Sequence, residues 1–284
     1  MIVVPMATVD HRHRHPVYCC LPPLRLRRSH TMTIAPSDLT AAYERDGFLI
    51  RLRIFSDAEI AGFRSQFDEL EAREGKEKCQ IGLQARHMDE EFIWRMATDD
   101  RVVDAISACM GEDVMLLSTH FFCKYPDPEG SKFVAWHQDI TYWGLEPPEA
   151  HTAWIAVDDA DLANGCMQVI PGSHRDGIAE HGKSDGAGNL LSINQEIPDE
   201  LVDKSRAVPI ELHAGEASIH NGQLYHASFP NTSQRRRCGL TVRFIPPEAR
   251  QVEANSTGQQ WCPILLRGED RHHHYPDTAV PFPS

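Results

Sequence analysis

The tetrapeptide Trp136-His137-Gln138-Asp139 combines two residue types that bind metal ions in proteins. His137 and Asp139 are two positions apart, and side chains at that spacing on a β-strand project from the same face. Together they supply two thirds of a 2-His-1-carboxylate triad, the ligand set of non-haem Fe(II) sites that keep positions open for oxygen and a co-substrate. An H-x-D pair alone is a weak signal. The site also needs a second histidine, an anchor for the co-substrate and a β-rich scaffold.

The second histidine of such a site would come from a strand far downstream. The candidates are His174, His213, His220 and His226. His226 is favoured because it stands at a predicted strand end before a turn, where a side chain can be aimed into the mouth of a barrel. His220, six residues earlier, is the main competitor, and spacing alone leaves both open.

An arginine is the expected anchor for a dicarboxylate co-substrate, because its planar, permanently charged guanidinium pairs with a carboxylate through two hydrogen bonds. In the predicted strand over residues 237–245, alternation places Arg237, Thr241 and Arg243 toward the barrel interior, whereas Arg235 and Arg236 are predicted to be solvated turn residues. The other face of this strand is apolar and should pack under the helices; its residues are Cys238, Leu240, Val242 and Phe244. Burying an arginine without an anion is costly. Arg237 therefore either binds an acidic ligand or forms a structural salt bridge.

The composition narrows the class of protein. The chain has 284 residues, of which 41% are hydrophobic, which is enough for one large core. The formal net charge of −13 argues against nucleic-acid binding, which needs a basic face, and no apolar run approaches the roughly 20 residues of a membrane span. The 8 cysteines are scattered, without a C-x-x-C pair or a preceding signal peptide, which favours free thiols in a reducing compartment. We expect a cytoplasmic monomer or homodimer whose partner is a small molecule, with no nucleic-acid or membrane partner.

The chain is predicted to consist of a leader and a single domain. Residues 1–31 are rich in arginine, histidine and proline and are expected to form a disordered leader, which leaves residues 32–284 for the domain. The pattern has period two over residues 114–124, and several short strands with regular turn signals follow. These features indicate a mainly β barrel or sandwich with flanking helices.

Besides a short helix that Ser37 can cap and that ends near Asp46-Gly47, two helices are predicted before the strands that begin at residue 114. Ser56-Asp57-Ala58-Glu59 has the pattern of a capping box. The apolar residues that follow it at helical spacing are Ile60, Phe63, Phe67 and Leu70. A second helix is predicted over residues 99–110, with Gly111 as its C-terminal stop. Both helices are expected to pack against a sheet.

Five runs of residues, in a fixed order and with fixed gaps, resemble one known family. The runs are Tyr43-Glu44-Arg45-Asp46-Gly47-Phe48, Trp136-His137-Gln138-Asp139, Asn164-Gly165-Cys166-Met167-Gln168-Val169-Ile170-Pro171-Gly172-Ser173-His174, Ala214-Gly215-Glu216, and His226-Ala227-Ser228 with Pro230-Asn231 and Arg237. Over about residues 37–247 the chain thus resembles the phytanoyl-CoA dioxygenase family of Fe(II)- and 2-oxoglutarate-dependent oxygenases. The resemblance implies a double-stranded β-helix, also called a jelly roll.

The resemblance also implies the metal ligands. His137, Asp139 and His226 would hold iron, which decides the choice against His220. In halogenating relatives a small residue replaces the carboxylate, so Asp139 favours hydroxylation or a related oxidation. The implied cofactors are Fe(II), 2-oxoglutarate and O2, and the implied products include succinate and CO2.

For the co-substrate, the resemblance implies that Arg237 and Ser228 bind the distal carboxylate of 2-oxoglutarate and that Trp154 forms a wall of the same pocket. His120 falls where the family places another neighbour of the co-substrate, although the residue type differs. His174 matches a loop residue of the family and is expected to be structural.

The substrate and the competing functions are less constrained by the sequence. Tyr142 and Trp143 follow Asp139 closely and are candidates either for the substrate pocket or for the core. Arg86 and Arg243 are candidate contacts for an acidic substrate. A cupin-like hydrolase or isomerase would use the same metal ligands without 2-oxoglutarate. A non-catalytic jelly roll would be expected to have lost a metal ligand or the arginine.

Overall fold

Two larger antiparallel β-sheets, with α-helices against one of them, and two small two-stranded sheets form the regular structure of the part of the chain that the computed structural model describes. The described residues are 36–184, 186–191, 195–255, 258 and 260–283. The leader predicted over residues 1–31 lies outside them. The α-helices are α1 (Pro36–Asp46), α2 (Asp57–Glu74), α3 (Lys76–Ile81), α4 (Glu91–Ala97) and α5 (Asp100–Met110). The strands are β1 (Phe48–Arg53), β2 (Val114–Lys124), β3 (Val134–His137), β4 (Leu145–Glu146), β5 (His151–Ala156), β6 (Met167–Val169), β7 (Gly182–Lys183), β8 (Gln195–Glu196), β9 (Val208–Ile210), β10 (Glu216–Asn221), β11 (His226–Ser228), β12 (Arg237–Ile245), β13 (Arg250–Gln251) and β14 (Ile264–Arg267).

The larger sheet has six strands in the order β1-β10-β5-β12-β2-β14, and the smaller has four in the order β3-β11-β6-β9. Strands distant in the chain are neighbours in both sheets, as β5 and β10 are on the larger one. The sheets meet in one apolar cluster, where Trp154 of β5 packs with Val169 of β6 and Ile210 of β9. Two facing antiparallel sheets with crossed connections confirm the predicted mainly β jelly roll.

Helix α2 covers the outer face of the larger sheet. Its capping box is present, with Ser56 and Glu59 each bonded to the other's main-chain N–H. Its four apolar residues are buried as predicted, and Phe67 packs against Phe121 of β2 with ring centroids 4.6 Å apart. No described helix is both long enough and apolar enough to cross a membrane. The helices leave the inner face of the sheet free for polar side chains.

Strand β12 has the two faces that its alternation predicts. Its outer side chains are fully buried in the core cluster that contains α2; they are Cys238, Leu240, Val242 and Phe244. Its inner side chains Arg237, Thr241 and Arg243 line a cavity between the sheets. A single strand therefore contributes both to the core and to the site.

The prediction of two solvated arginines before β12 was wrong for Arg236. Arg235 is exposed, but Arg236 is largely buried and forms ion pairs with Asp68, Glu71 and Asp158 at 2.7, 3.2 and 2.8 Å. Two of these acids belong to α2, so Arg236 joins the helix to the sheet. Sequence alternation carries no information about a partner 168 residues away.

Candidate metal and co-substrate site

Two histidines stand opposite each other on neighbouring strands of the smaller sheet. His137 ends β3, His226 begins β11, and the antiparallel register pairs them directly. The Nδ1 atom of His137 lies 2.9 Å from the carbonyl of Ala135, and that of His226 lies 2.9 Å from the carbonyl of Leu224. A carbonyl can only accept a hydrogen bond, so each Nδ1 carries the proton. Each Nε2 therefore keeps its lone pair for a metal ion.

Asp139 brings a carboxylate to the same point from just beyond β3. The prediction that it lies on the strand was wrong, because β3 ends at His137 and Asp139 begins a 3-10 helix. Gln138, between them, keeps an extended backbone with φ −119° and ψ 130°. The side chains of His137 and Asp139 therefore still project to the same side, as they would on a strand. Asp139 Oδ1 lies 3.6 Å from His137 Nε2 and 3.8 Å from His226 Nε2.

The charge states of this cluster suit a metal. Thr152 on β5 donates a hydrogen bond from Oγ1 to Asp139 Oδ2 at 3.0 Å, which leaves Oδ1 to face the histidines. Burial raises the pKa of Asp139, but the imidazoles of His137 and His220 outweigh burial and hold that pKa well below its usual value. Burial, reinforced by His137, lowers the pKa of His226 well below its usual value. The carboxylate is therefore ionised and the His226 imidazole is neutral.

The residues present fit one divalent ion. The ligand atoms of His137, Asp139 and His226 all lie within 4.8 Å of one another, and all three residues are buried. Donors that each lie about 2 Å from a shared ion are themselves about 3–4 Å apart. Two imidazoles and one carboxylate are the donor set of a non-haem Fe(II) site, in which the other positions stay open.

The competing histidines are not part of this group of three ligands. His220, on β10 of the larger sheet, has its Nε2 3.4 Å from Asp139 Oδ2, the oxygen that is turned away from His137 and His226. His174 contacts the carbonyl of Glu44, with its Nε2 at 3.2 Å. His213 is exposed on a loop, with its Nδ1 3.7 Å from an Asp159 oxygen. Among the described residues, the only group of three with metal-ligand geometry contains His226 and not His220.

A buried arginine shares a cavity with these ligands. The first cavity is lined by the three ligands together with Trp154, Ser228, Arg237 and others. Arg237 is 3% exposed, and its Nε is buried with no hydrogen-bond partner among the described residues. Its guanidinium carbon lies 5.3 Å from the centre of the Trp154 ring, a cation–π distance. A charge held this way requires an anion, and the described residues supply none at ion-pair distance.

Gly239 makes room for the tryptophan wall. It lies on β12 between Arg237 and Thr241, on the same inner face. A Cβ built on Gly239 would come closer than 3.0 Å to three atoms of the Trp154 indole. The indole therefore lies directly against the strand, and glycine is the residue that permits this approach.

Lys124 fixes the serine of the same cavity. Lys124 lies directly opposite Arg237 in the antiparallel register of β2 and β12, and it is 2% exposed. Its Nζ donates to Ser228 Oγ at 2.7 Å, to the Ser228 carbonyl at 3.1 Å and to the Phe229 carbonyl. Since the Ser228 oxygen accepts from the ammonium, the serine hydroxyl hydrogen is free to point into the cavity.

A second cavity adjoins the first beside the metal ligands. Both are lined by His137, Asp139 and Arg243, and the second adds His120, Tyr142, Trp143 and Trp261 among others. The structure thus places His120 here and does not bring it to the cavity of Arg237. His120 Nε2 donates to the Ile81 carbonyl at 2.6 Å, and burial lowers its pKa to about 3, so it is neutral.

Arg86 is not brought to the site. It does not line either cavity, and its guanidinium forms ion pairs with Glu74, Asp89 and Glu90 at 2.9, 2.9 and 3.0 Å. These three acids already neutralise its charge, so nothing is left over to attract an acidic substrate.

Comparison with known proteins identifies the family. The sequence profile of the phytanoyl-CoA dioxygenase (PhyH) family matches residues 43–239. The chain belongs to the phytanoyl-CoA dioxygenase family. The peroxisomal phytanoyl-CoA dioxygenase of Bos taurus is 27% identical over 242 residues, which cover 77% of this chain and 71% of the relative. The predicted resemblance is therefore confirmed, and the predicted cofactors Fe(II) and 2-oxoglutarate agree with the family and with the His–Asp–His set.

Solved structures agree with the fold. The non-heme monooxygenase ThoJ is 25% identical with a TM-score of 0.68, and the alignment covers 85% of this chain and 88% of ThoJ. The epimerase SnoN, solved with Fe3+ and alpha-ketoglutarate, is 19% identical with a TM-score of 0.67, and the alignment covers 88% of this chain and 98% of SnoN. At 19% identity, the likeness to SnoN concerns the fold alone.

Three residues of the dioxygenase site were not predicted to serve it. Lys124 lies on the polar face of the period-two pattern of β2, which signals its direction but not its partner. Thr152 lies on the inner face of β5 and is visible only once Asp139 is placed. Gly239 lies in the interior of β12, and a glycine in a strand interior is a signal for close approach.

Proposed function

We propose that this chain is an Fe(II)- and 2-oxoglutarate-dependent dioxygenase that oxidises an unactivated C–H bond of a small-molecule metabolite, releasing succinate and CO2. The observation that carries the proposal is one cavity with two features: a triad whose atoms fit a single metal ion, and a buried arginine that no described acid pairs with. A metal site alone would serve many reactions. The arginine adds a specific requirement for an acidic co-substrate.

The triad would hold the iron through His137 Nε2, Asp139 Oδ1 and His226 Nε2. With 2-oxoglutarate and dioxygen, the bound iron supplies the oxidising power needed to cleave a C–H bond. The main-chain carbonyls that hold each Nδ1–H keep both imidazoles aimed at one point. Thr152 keeps Asp139 turned so that one oxygen faces the metal position.

Arg237 and Ser228 would bind the distal carboxylate of 2-oxoglutarate. The Arg237 guanidinium supplies the charge and the planar donor pair, and the Ser228 hydroxyl adds one more donor. Lys124 acts through Ser228, because its ammonium occupies the serine oxygen as acceptor and so turns the hydroxyl into a donor. The Trp154 indole excludes water from the arginine side of the cavity.

Hydroxylation or a related oxidation is favoured over halogenation. Asp139 occupies the carboxylate position of the triad, and its Oδ1 faces both histidines. A halide would need that coordination position to be vacant, as in relatives with a small residue there.

The test is succinate formation by the protein loaded with Fe(II) under anaerobic conditions and then given 2-oxoglutarate and oxygen. Substrate-independent turnover of 2-oxoglutarate is expected, and omission of iron, oxygen or 2-oxoglutarate should abolish it. Arg237→Met removes one partner of a buried charge pair, which costs about 2–5 kcal/mol and raises the Kd for 2-oxoglutarate about 30-fold or more.

The matched control is Arg235→Met, two residues earlier and exposed, which should leave the Kd unchanged. An unchanged Kd in Arg237→Met would remove the co-substrate anchor from the proposal. Metal-dependent product formation without oxygen or 2-oxoglutarate would support a cupin-like hydrolase or isomerase instead.

A further inference from the structure

A second arginine stands where the two cavities meet. Arg243 lies six residues after Arg237 on the same face of β12, about 20 Å along the strand. It lines both cavities, as His137 and Asp139 do. A ligand bound to Arg243 would therefore lie beside the metal ligands, at the end of the site away from Arg237.

The guanidinium of Arg243 has few partners among the residues that the structure describes. Its Nε is buried without a hydrogen-bond partner among the described residues, and its Nη1 reaches only Ser118 Oγ, at 3.4 Å. The guanidinium carbon of Arg243 lies 5.3 Å from the centre of the Trp143 ring. Within the described part of the chain, Asp139 is the acid whose charge acts on it. The arrangement resembles that of Arg237: each is a buried planar cation beside a tryptophan ring, with an Nε that donates to no described residue.

Charge balance shows what Arg243 lacks once the site is loaded. The two charges of Fe(II) and the charge of Arg237 would be matched by Asp139 and the two carboxylates of 2-oxoglutarate. Lys124, another buried cation nearby, donates to three neutral oxygens and so supplies no negative charge that could balance Arg243. Arg243 is then a cation without a counter-ion in a low-dielectric site, which is unfavourable unless an anion arrives.

We propose that the prime substrate is a small organic acid whose carboxylate binds Arg243 while its body lies in the second cavity. This inference rests on the proposed function, since the balance of charges assumes bound iron and 2-oxoglutarate. The second cavity is lined by the aromatic residues Tyr142, Trp143 and Trp261, which suit an apolar or aromatic body. Because Arg243 adjoins the metal ligands, the carbon that reacts should be close to the carboxylate.

The experiment compares acids with their uncharged analogues. Protein loaded anaerobically with Fe(II) and 2-oxoglutarate is titrated with small aliphatic and aromatic monocarboxylic acids, each paired with its primary amide. Binding is followed by calorimetry and by quenching of tryptophan fluorescence, since Trp143 and Trp261 line the cavity. We expect at least one acid to bind about tenfold or more tightly than its amide, the range for a hydrogen bond to a charged group.

Variants of Arg243 test whether this residue is the source of the preference for the acid over its amide. Arg243→Met should abolish the preference for the acid and leave the Kd for 2-oxoglutarate within about twofold. Arg243→Lys keeps the charge and should retain part of the preference, which guards against loss of folding in the methionine variant. Arg250→Met is the matched control, because Arg250 is exposed and pairs with Glu146 at 2.9 Å.

Three results would overturn the inference: no acid preferred over its amide, a preference that survives Arg243→Met, or a large loss of 2-oxoglutarate affinity in that variant. The last result would assign Arg243 to the co-substrate carboxylate nearest the metal. Succinate formation without added substrate is measured separately, so failure of the proposed function is recognisable on its own.

Discussion

Replacing Gly239 by alanine should damage the co-substrate pocket without touching a metal ligand or a charge. The new methyl group would point from the inner face of β12 into the Trp154 indole. Three indole atoms, Cζ2, Cε2 and Cη2, would lie closer than 3.0 Å to it. Carbon contacts are most favourable at about 3.5–4.0 Å, so the ring must move by about 1 Å or more.

The magnitude follows from where that ring stands. Trp154 is 5% exposed and packs between the sheets, so a shift of this size over-packs the core and should cost about 1–3 kcal/mol of unfolding free energy. The ring also lies over Arg237, so its movement displaces the wall beside the carboxylate anchor. Weakening one hydrogen bond between Arg237 and the carboxylate costs about 1.5–3 kcal/mol, so we expect a rise of roughly 10- to 100-fold in the Kd for 2-oxoglutarate.

The assay combines urea unfolding with 2-oxoglutarate binding to the metal-loaded protein. The matched control is Gly62→Ala on the exposed side of α2, where a Cβ meets no atom within 4 Å. That change should leave the Kd unchanged and stabilise the protein by about 0.5–1 kcal/mol, because alanine is the better helix former.

A second substitution tests the cause. Trp154→Phe removes the ring atoms that would clash, so in the Gly239→Ala background it should recover part of the lost affinity. Unchanged 2-oxoglutarate affinity in Gly239→Ala, with normal folding, would refute Trp154 as the pocket wall.

Two further predictions concern buried side chains. Lys124→Met should raise the Kd for 2-oxoglutarate about tenfold, close to 1.4 kcal/mol, because the Ser228 hydroxyl loses its fixed direction. In a Ser228→Ala background, the same substitution should not raise the Kd further. Additive effects of the two substitutions, measured by calorimetry, would show that Lys124 does not act through the serine. His87 is buried against Thr119 Oγ1 at 2.9 Å, and burial lowers its pKa to about 4, so the folded state resists its protonation. The stability that neutral His87 provides is present above pH 6.5 and is lost as the pH falls toward 4, by about 2–3 kcal/mol. Urea unfolding at pH 7 and 4.5 should therefore show a smaller loss for His87→Gln, and an equal loss would contradict the assignment.

Much of the scaffold was predictable because its patterns are local. The period-two alternation of β12 separates an apolar face from Arg237 and Arg243, and the structure has both faces as predicted. The capping box at Ser56 and the stop at Gly111, where φ is 102°, likewise depend on neighbours in the chain. Spacing along the sequence did not distinguish His220 from His226. In the structure both residues line the same cavity, from opposite sheets. The family motif made that choice.

What the sequence did not predict depends on distant partners. Arg86 was a candidate substrate contact, but acids from α2 and from its own loop neutralise it. His120 was expected beside 2-oxoglutarate; its ring packs on Phe122, with centroids 4.3 Å apart, and lies in the second cavity. The role of Lys124 depends on Ser228, 104 residues away. Strand periodicity gives the face of a side chain but not the cavity or the partner that it meets.

The most direct measurement is an anaerobic titration with Fe(II) and then with 2-oxoglutarate, applied to the wild-type protein, His220→Ala and His226→Ala. The wild-type protein and His220→Ala should each bind one equivalent of iron and develop a visible charge-transfer band when 2-oxoglutarate chelates it. His226→Ala should lose tight iron binding and the band together. Full iron binding and an unchanged band in His226→Ala, or their loss in correctly folded His220→Ala, would contradict the assigned metal centre.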